Sequence, residues 1–267
     1  MHRFSVFVAV LAFLLVVAGG LVTSNDAAGA IPDWPLSWGR LVPPWEGGIR
    51  YAFVHRVLAA AVAVGTFLMA LGLRTALAWA AAWLVLAQAV LGGIGVLLVL
   101  PHIVSVVHAC LAQLIFGILV MAACGVPRFS TAKGARPVPQ LVAAAFLFIQ
   151  TILGAAVRHH MMSAVPHMAG AVVAVLLVMW ATVPVMLRHM GVAGLVLGLT
   201  AFQVALGLGA WAVRSVEAAQ PLPLMVWITV AHVAVGSLAF GAAIVLALVV
   251  YWHPHEGSEF QGGTAIA

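Results

Sequence analysis

VVHACLAQLIFG (106–117) and VAHVAVGSLAFG (230–241) decide how this chain is organised. In both, a histidine is followed by Leu at +6, Phe at +8 and Gly at +9: His108, Leu114, Phe116 and Gly117, then His232, Leu238, Phe240 and Gly241. Three further segments pair in the same order. QAVLGGIG from Gln88 matches QVALGLGA from Gln203, VHRVLAAAVAV around His55 matches PHMAGAVVAV around His167, and VVAGGLVTSN (16–25) matches TILGAAVRHH (151–160). One such pair arises by chance in so restricted an alphabet. Four in the same order mark an internal repeat.

The alphabet itself fixes the environment. Of 267 residues, 65% are hydrophobic and only 6% charged, and the mean hydropathy is +1.21. A soluble domain carries about 25% charged residues. Apolar runs of about 20 residues, enough to cross a bilayer core of about 30 Å, recur at roughly 4–22, 51–72, 77–99, 103–124, 139–157, 165–187, 192–213 and 225–251. The expected fold is therefore an all-α polytopic membrane protein of eight spans, built as two four-helix repeats. With four spans per half the repeat is parallel. The halves are 1–124, which includes a long loop at 23–49, and 139–251, joined by a linker at 125–138 and followed by a tail at 252–267. DWPLSWGRLVPPWEGG (33–48) is rich in Trp and Pro, which suits a structured cap at the membrane interface.

The net charge of +5 does not point to nucleic acid, because the basic residues sit at the ends of apolar runs where positive-inside bias and headgroups account for them. Arg3, Arg74, Arg128, Lys133, Arg136 and Arg188 fall on one side and Arg40, Arg50, Arg158 and Arg214 on the other. That bias places both termini in the cytoplasm and the 23–49 loop outside, in a multi-pass cell-membrane protein. Cys110 and Cys124 share one expected helix, about 21 Å apart and beyond disulfide reach. No C-x-x-C-H occurs, which argues against covalent c-type haem attachment. The first 20 residues resemble a signal peptide with Ala28–Ala30 as a cleavage site, but the repeat requires them as a helix.

Four of the 11 histidines occupy repeat positions: His55, His108, His167 and His232. All lie one or two turns inside the outer end of an even-numbered span, two per half. An ionisable group within a membrane is costly and marks function by default. Two facing helices each offering an imidazole are how a bundle ligates haem iron. Ala59–Ala61 and Ala169–Ala171, with Gly170 between, leave room for a slot, and Arg56 and Arg158 stand where propionates would need cations. Zinc or copper remains open, although no carboxylate or cysteine joins the histidines. His159 and His160 are placed for a supporting role near that depth.

At this point the sequence resembles the haem A synthase family over roughly residues 10–250. GGLVTSNDAAGAIPDWPLSWG (19–39), the pair His55–Arg56, the Q-x-x-L-G segments, GAAVRHH (154–160) and the two late-helix histidines carry the resemblance. It implies oxidation of the haem o ring methyl to the formyl group of haem a during cytochrome oxidase assembly. Haem o synthase and cytochrome oxidase would be partners, alongside membrane lipid. It further implies that His167 and His232 hold a resident haem b while His55 and His108 line the site of the substrate haem. The 23–49 loop lacks cysteine, which matches a cysteine-free type.

One departure stands out. Family members usually place a glutamate three residues before the first histidine, and here that residue is Ala52, in YAFVHR. The six acids, Asp26, Asp33, Glu46, Glu217, Glu256 and Glu259, all lie outside the spans. Two readings follow: a haem o-oxidising enzyme working without that carboxylate, or a non-catalytic haem-binding protein of the same fold. A histidine-gated transporter is the third, weakened by the lack of an intramembrane acid.

Overall fold

The computed structural model describes residues 1–98, 101–125, 137–215 and 221–252. Among these residues, eight helices are long and apolar enough to cross a membrane: α1 His2–Ser24, α2 Ile49–Leu73, α3 Ala76–Leu97, α4 His102–Cys124, α5 Val138–Arg158, α6 Val165–Thr182, α7 Met190–Arg214 and α8 Pro223–Trp252. Their bounds fall within a few residues of the expected spans. The exception is the sixth, where Pro184 ends the α-helix and a single 3-10 turn, Val183–Val185, follows. The architecture is an all-α polytopic membrane fold. The linker 125–138 and the tail 252–267 lie, apart from their ends, outside the described residues.

Each half closes into a ring. Helix α1 packs on α2 and α4, and α3 packs on the same two; in the second half α5 and α7 each pack on α6 and α8. Consequently α2 and α4 face one another across the first ring, and α6 and α8 across the second. Each ring has its own core, with Val8, Val62, Met69, Val85 and Leu119 in one and Val178, Val196 and Leu246 in the other. Small residues such as Ala12, Ala78, Ala81, Ala181 and Ala193 fill much of the remaining interior, which lets backbones approach closely where no hydrophobic force drives helix association. Large apolar side chains, among them Val64, Phe67, Leu86, Val172, Leu176 and Trp227, face outward. In water such a surface would aggregate; facing lipid it is neutral.

The two halves meet through matching helix pairs. Helix α4 packs on α8, and α1 on α8 mirrors α5 on α4. The repeated Phe–Gly pair forms this seam. A methyl on Gly117 would lie 2.8 Å from Cε1 of Phe240, and one on Gly241 would lie 3.2 Å from Cε1 of Phe116. Each phenylalanine thus occupies the hollow left by the other half's glycine. Residues five beyond the two repeat histidines also meet: Gln113 Nε2 donates to Ser237 Oγ at 2.7 Å, both buried. Ser237 Oγ in turn donates to the Val233 carbonyl at 2.9 Å. Two further aromatic contacts, Phe13 with Phe116 and Phe148 with Phe240, occupy equivalent places in the two halves.

Candidate functional site

The diagonal arrangement decides where the histidines go. His55 and His108 stand on α2 and α4, His167 and His232 on α6 and α8, so each half directs two imidazoles across its ring. All four are half-buried. Each rests on a glycine of the preceding helix. A methyl built on Gly19 would lie 3.3 Å from Cε1 of His55; on Gly92, 3.0 Å from His108; on Gly154, 3.2 Å from His167; on Gly207, 2.9 Å from His232. The carbonyls one turn before three of these glycines, those of Leu15, Gln150 and Gln203, approach the rings of His55, His167 and His232. None closes a well-formed bond to Nδ1, and the four Nδ1 atoms are buried without partners.

An unpaired buried nitrogen is costly, and the same one recurs at all four repeat positions. A histidine that binds metal through one nitrogen orients itself by presenting the other to backbone. The pair in the second half has the spacing for a shared ion: the ring centres of His167 and His232 are 6.2 Å apart with planes at 89°. Two imidazoles on opposite sides of one metal ion, with bonds of about 2 Å and ring centres about 1.2 Å further back, would be about 6.4 Å apart. In the first half, His55 and His108 lie within electrostatic reach of each other. Among the described residues no three His, Cys, Asp or Glu side chains converge, so the donors come in pairs. Paired imidazoles suit an ion whose other ligands belong to a macrocycle.

The halves differ at the rim. Residues 25–48 cover the first ring, whereas the corresponding turn of the second spans only 159–164. Arg56 fastens the long loop, with Nη1 donating to the Leu36 carbonyl at 2.5 Å and Nη2 to that of Ile31 at 3.2 Å. Ser37 Oγ lies 3.5 Å from Nη1. Asp33 accepts from the backbone of Trp38 at 2.6 Å and Gly39 at 2.7 Å. The Gly39 N–H, aided by Trp38 and the Arg56 guanidinium, holds this carboxyl below the usual range. Trp34 seats its ring where a side chain on Gly93 would stand. The adjacent glycines Gly92 and Gly93 therefore receive His108 from inside the ring and the loop from above.

Arg158, at the end of α5, donates to Ser24 Oγ across the half boundary at 2.8 Å. His159 follows it and reaches over the first half, within electrostatic range of His108 and His102. Burial, with Arg158, His102 and His160 nearby, keeps its imidazole below the usual histidine range and hence neutral near pH 7. Of the small residues expected to shape the slots, Ala60, Ala61 and Ala169 are exposed and Ala59, Gly170 and Ala171 half-buried. Gly170 instead accommodates Gln150, whose amide is buried and unpartnered. Ala52 is 6% exposed, one turn before His55.

Sequence reasoning passed over Gly19, Gly154 and Gly207 as contacts of the histidines. The matched alignment carried the signal, since Gly19 pairs with Gly154 and Gly92 with Gly207. It also overlooked the glutamines of the Q-x-x-L-G segments: Gln88 Nε2 donates to the His108 carbonyl at 2.8 Å, while Gln203 Nε2 stands 3.3 Å from His232 Nε2.

No family model matches the chain. One curated relative is named Heme A synthase, from Ruegeria pomeroyi (strain ATCC 700808 / DSM 15171 / DSS-3). Part of the chain is similar to that protein. The two are 30% identical over 145 residues, covering 46% of this chain and 38% of the relative. The match therefore spans well under two thirds of the relative's length.

Proposed function

We propose that this protein is a haem A synthase-like membrane oxidoreductase that converts the ring methyl of haem o to the formyl of haem a. The observation that carries this reading is the repeated imidazole pair, four half-buried rings with four orphaned Nδ1 atoms on two sets of diagonal helices. The partial similarity to a haem A synthase supports it.

In this reading His167 and His232 hold a haem b, and His55 and His108 bind the substrate haem. The bound haem b supplies one-electron redox chemistry. The protein's own residues bind, orient and exclude water. Loop 25–48, fastened by Arg56 and Trp34, covers the substrate half and keeps bulk solvent from the reacting methyl. Because Arg56 already serves loop carbonyls, Arg158, which donates to the neutral Ser24 hydroxyl, is the freer cation for a propionate. Haem o synthase and cytochrome oxidase are the expected suppliers and users of substrate and product. The loop end of the bundle faces outward, with both termini in the cytoplasm.

A second reading is favoured by Ala52. The position where resembling proteins carry a glutamate is a buried alanine, and helix-borne acid–base work requires a group within about 3 Å of the reacting atoms. A non-catalytic haem-binding protein of the same fold would keep the four histidines and lose that carboxylate. Expression with a haem o source, followed by extraction and identification of the haems, separates the two. The enzyme reading expects haem a or its hydroxylated precursor. Haem recovered with neither leaves the binding protein, and no haem at all overturns both.

A further inference from the structure

The glycines opposite the histidines differ from the other packed helix glycines in what they touch. Built methyls on Gly20, Gly65, Gly117 and Gly209 would meet Val230, Val8, Phe240 and Ile228, the ordinary partners of close helix packing. The nearest atoms to methyls on Gly19, Gly92, Gly154 and Gly207 would all be imidazole atoms, Cε1 first each time. Three of the four stand in Q-x-x-L-G segments, after Gln88, Gln150 and Gln203; in α1, Leu15 and Ala18 replace Gln and Leu. The same local device therefore serves both halves and all four even-numbered helices.

We propose that Gly19, Gly92, Gly154 and Gly207 are positioning residues that set the depth and plane of the four imidazoles. The inference rests on the haem-binding reading only for its spectroscopic consequence. With no side chain on the glycine, the Cε1 edge of the ring lies against the neighbouring backbone, with the two ring nitrogens flanking that edge, 3.8 and 3.8 Å from the built methyl at Gly92, 3.7 and 3.7 Å at Gly154, and 3.5 and 3.8 Å at Gly207. Any Cβ takes the place of the ring edge. The clearances rank the sites: 2.9 Å at Gly207, 3.0 Å at Gly92, 3.2 Å at Gly154 and 3.3 Å at Gly19. A Cβ closer than 3.0 Å forces a displacement, so Gly207 is the most sensitive and Gly19 the least. Ligand orientation and the surroundings of the ligand tune the iron in such sites.

The test uses the full chain in nanodiscs, with histidine labelled in 13C and 15N, as wild type, Gly207→Ala, Gly154→Ala and Gly209→Ala. The last adds a methyl to the same helix 3.6 Å from Ile228 and away from any imidazole. Without haem, solid-state NMR reads the His232 and His167 Cε1 resonances. After reconstitution with haem b, electron paramagnetic resonance and a potential titration read the iron. Gly207→Ala is expected to move the His232 resonance and to shift the low-spin signal and midpoint potential, or release a five-coordinate fraction. Gly154→Ala should produce a smaller shift on His167, and Gly209→Ala should match wild type. Wild-type resonances in both Gly207→Ala and Gly154→Ala would overturn the proposal, as would equal shifts in Gly209→Ala. Should Gly207→Ala fail to fold, the milder Gly154→Ala decides. If wild type takes up no haem, the haem reading fails by itself while the NMR comparison still judges the glycines.

Discussion

Replacing Arg56 by lysine tests how the long loop is held over the first ring. The arginine uses separate nitrogens for two carbonyls, Nη1 for Leu36 and Nη2 for Ile31. A lysine has one ammonium on a flexible stem and cannot reproduce that fork. At least one charge-assisted bond is lost, and such bonds contribute about 1.5–3 kcal/mol. At about 1.4 kcal/mol per factor of ten, loop opening becomes about ten to a hundred times more populated. Hydrogen exchange in nanodiscs measures this directly. Four loop amides report: Ser37 and Arg40 bond each other's carbonyls at 2.9 and 3.2 Å, while Trp38 and Gly39 bond Asp33. Their exchange should accelerate by that factor in Arg56→Lys and further in Arg56→Ala, with the helical amides of α5–α8 unchanged. Unaltered protection of the four amides in both variants would refute the assignment of Arg56 as the fastening of the loop.

Three other outcomes follow from the same geometry. Gly117→Ala places a methyl 2.8 Å from Phe240 Cε1 and 3.0 Å from Ile244 Cδ1, so overpacking should destabilise the seam by about 1–3 kcal/mol; Gly198→Ala, with open space around it, should not, as unfolding titrations in mixed micelles would show. The Asp33 carboxyl has its pKa lowered on folding, so its contribution to loop order is complete above its ordinary value of 3.8 and is lost as pH falls through the depressed value. Protection of Trp38 and Gly39 should thus be flat from pH 7 down to about 4 and decline only at stronger acidity; a loss near pH 6 would contradict it. Ala52→Glu puts a carboxylate into a position 6% exposed, which costs stability yet should raise haem a yield if the missing glutamate limits the reaction, as haem extraction would reveal.

Much of this molecule is legible in its sequence because a repeat leaves matched residues. The Phe–Gly pairs at 116–117 and 240–241 stand out as repetition, and in the fold they become the reciprocal seam of the two halves. The four histidines were singled out by position alone, and the ring closure of each half places them on diagonal helices. What repetition cannot expose is contact between unlike residues. Gln113 and Ser237 hold the same repeat position, but their hydrogen bond joins different side chains across 124 residues and has no periodicity to betray it. Arg56 reads as a cation at a rim. Its use on loop carbonyls 20 and 25 residues away depends on how an irregular segment folds back, which hydrophobic patterning does not encode. The end of α6 at Pro184 was masked by an apolar run that continues past the helix.

The most direct measurement is the haem content and absorption spectrum of the purified full chain beside His55→Ala, His108→Ala, His167→Ala and His232→Ala. The account predicts a low-spin, six-coordinate haem in the wild type. Losing His167 or His232 should abolish six-coordination of the resident haem, while losing His55 or His108 should leave it intact and remove binding of the second. Haem bound equally by all four variants, or by none of the proteins including the wild type, would contradict the claim that each half holds its ligand between a pair of imidazoles.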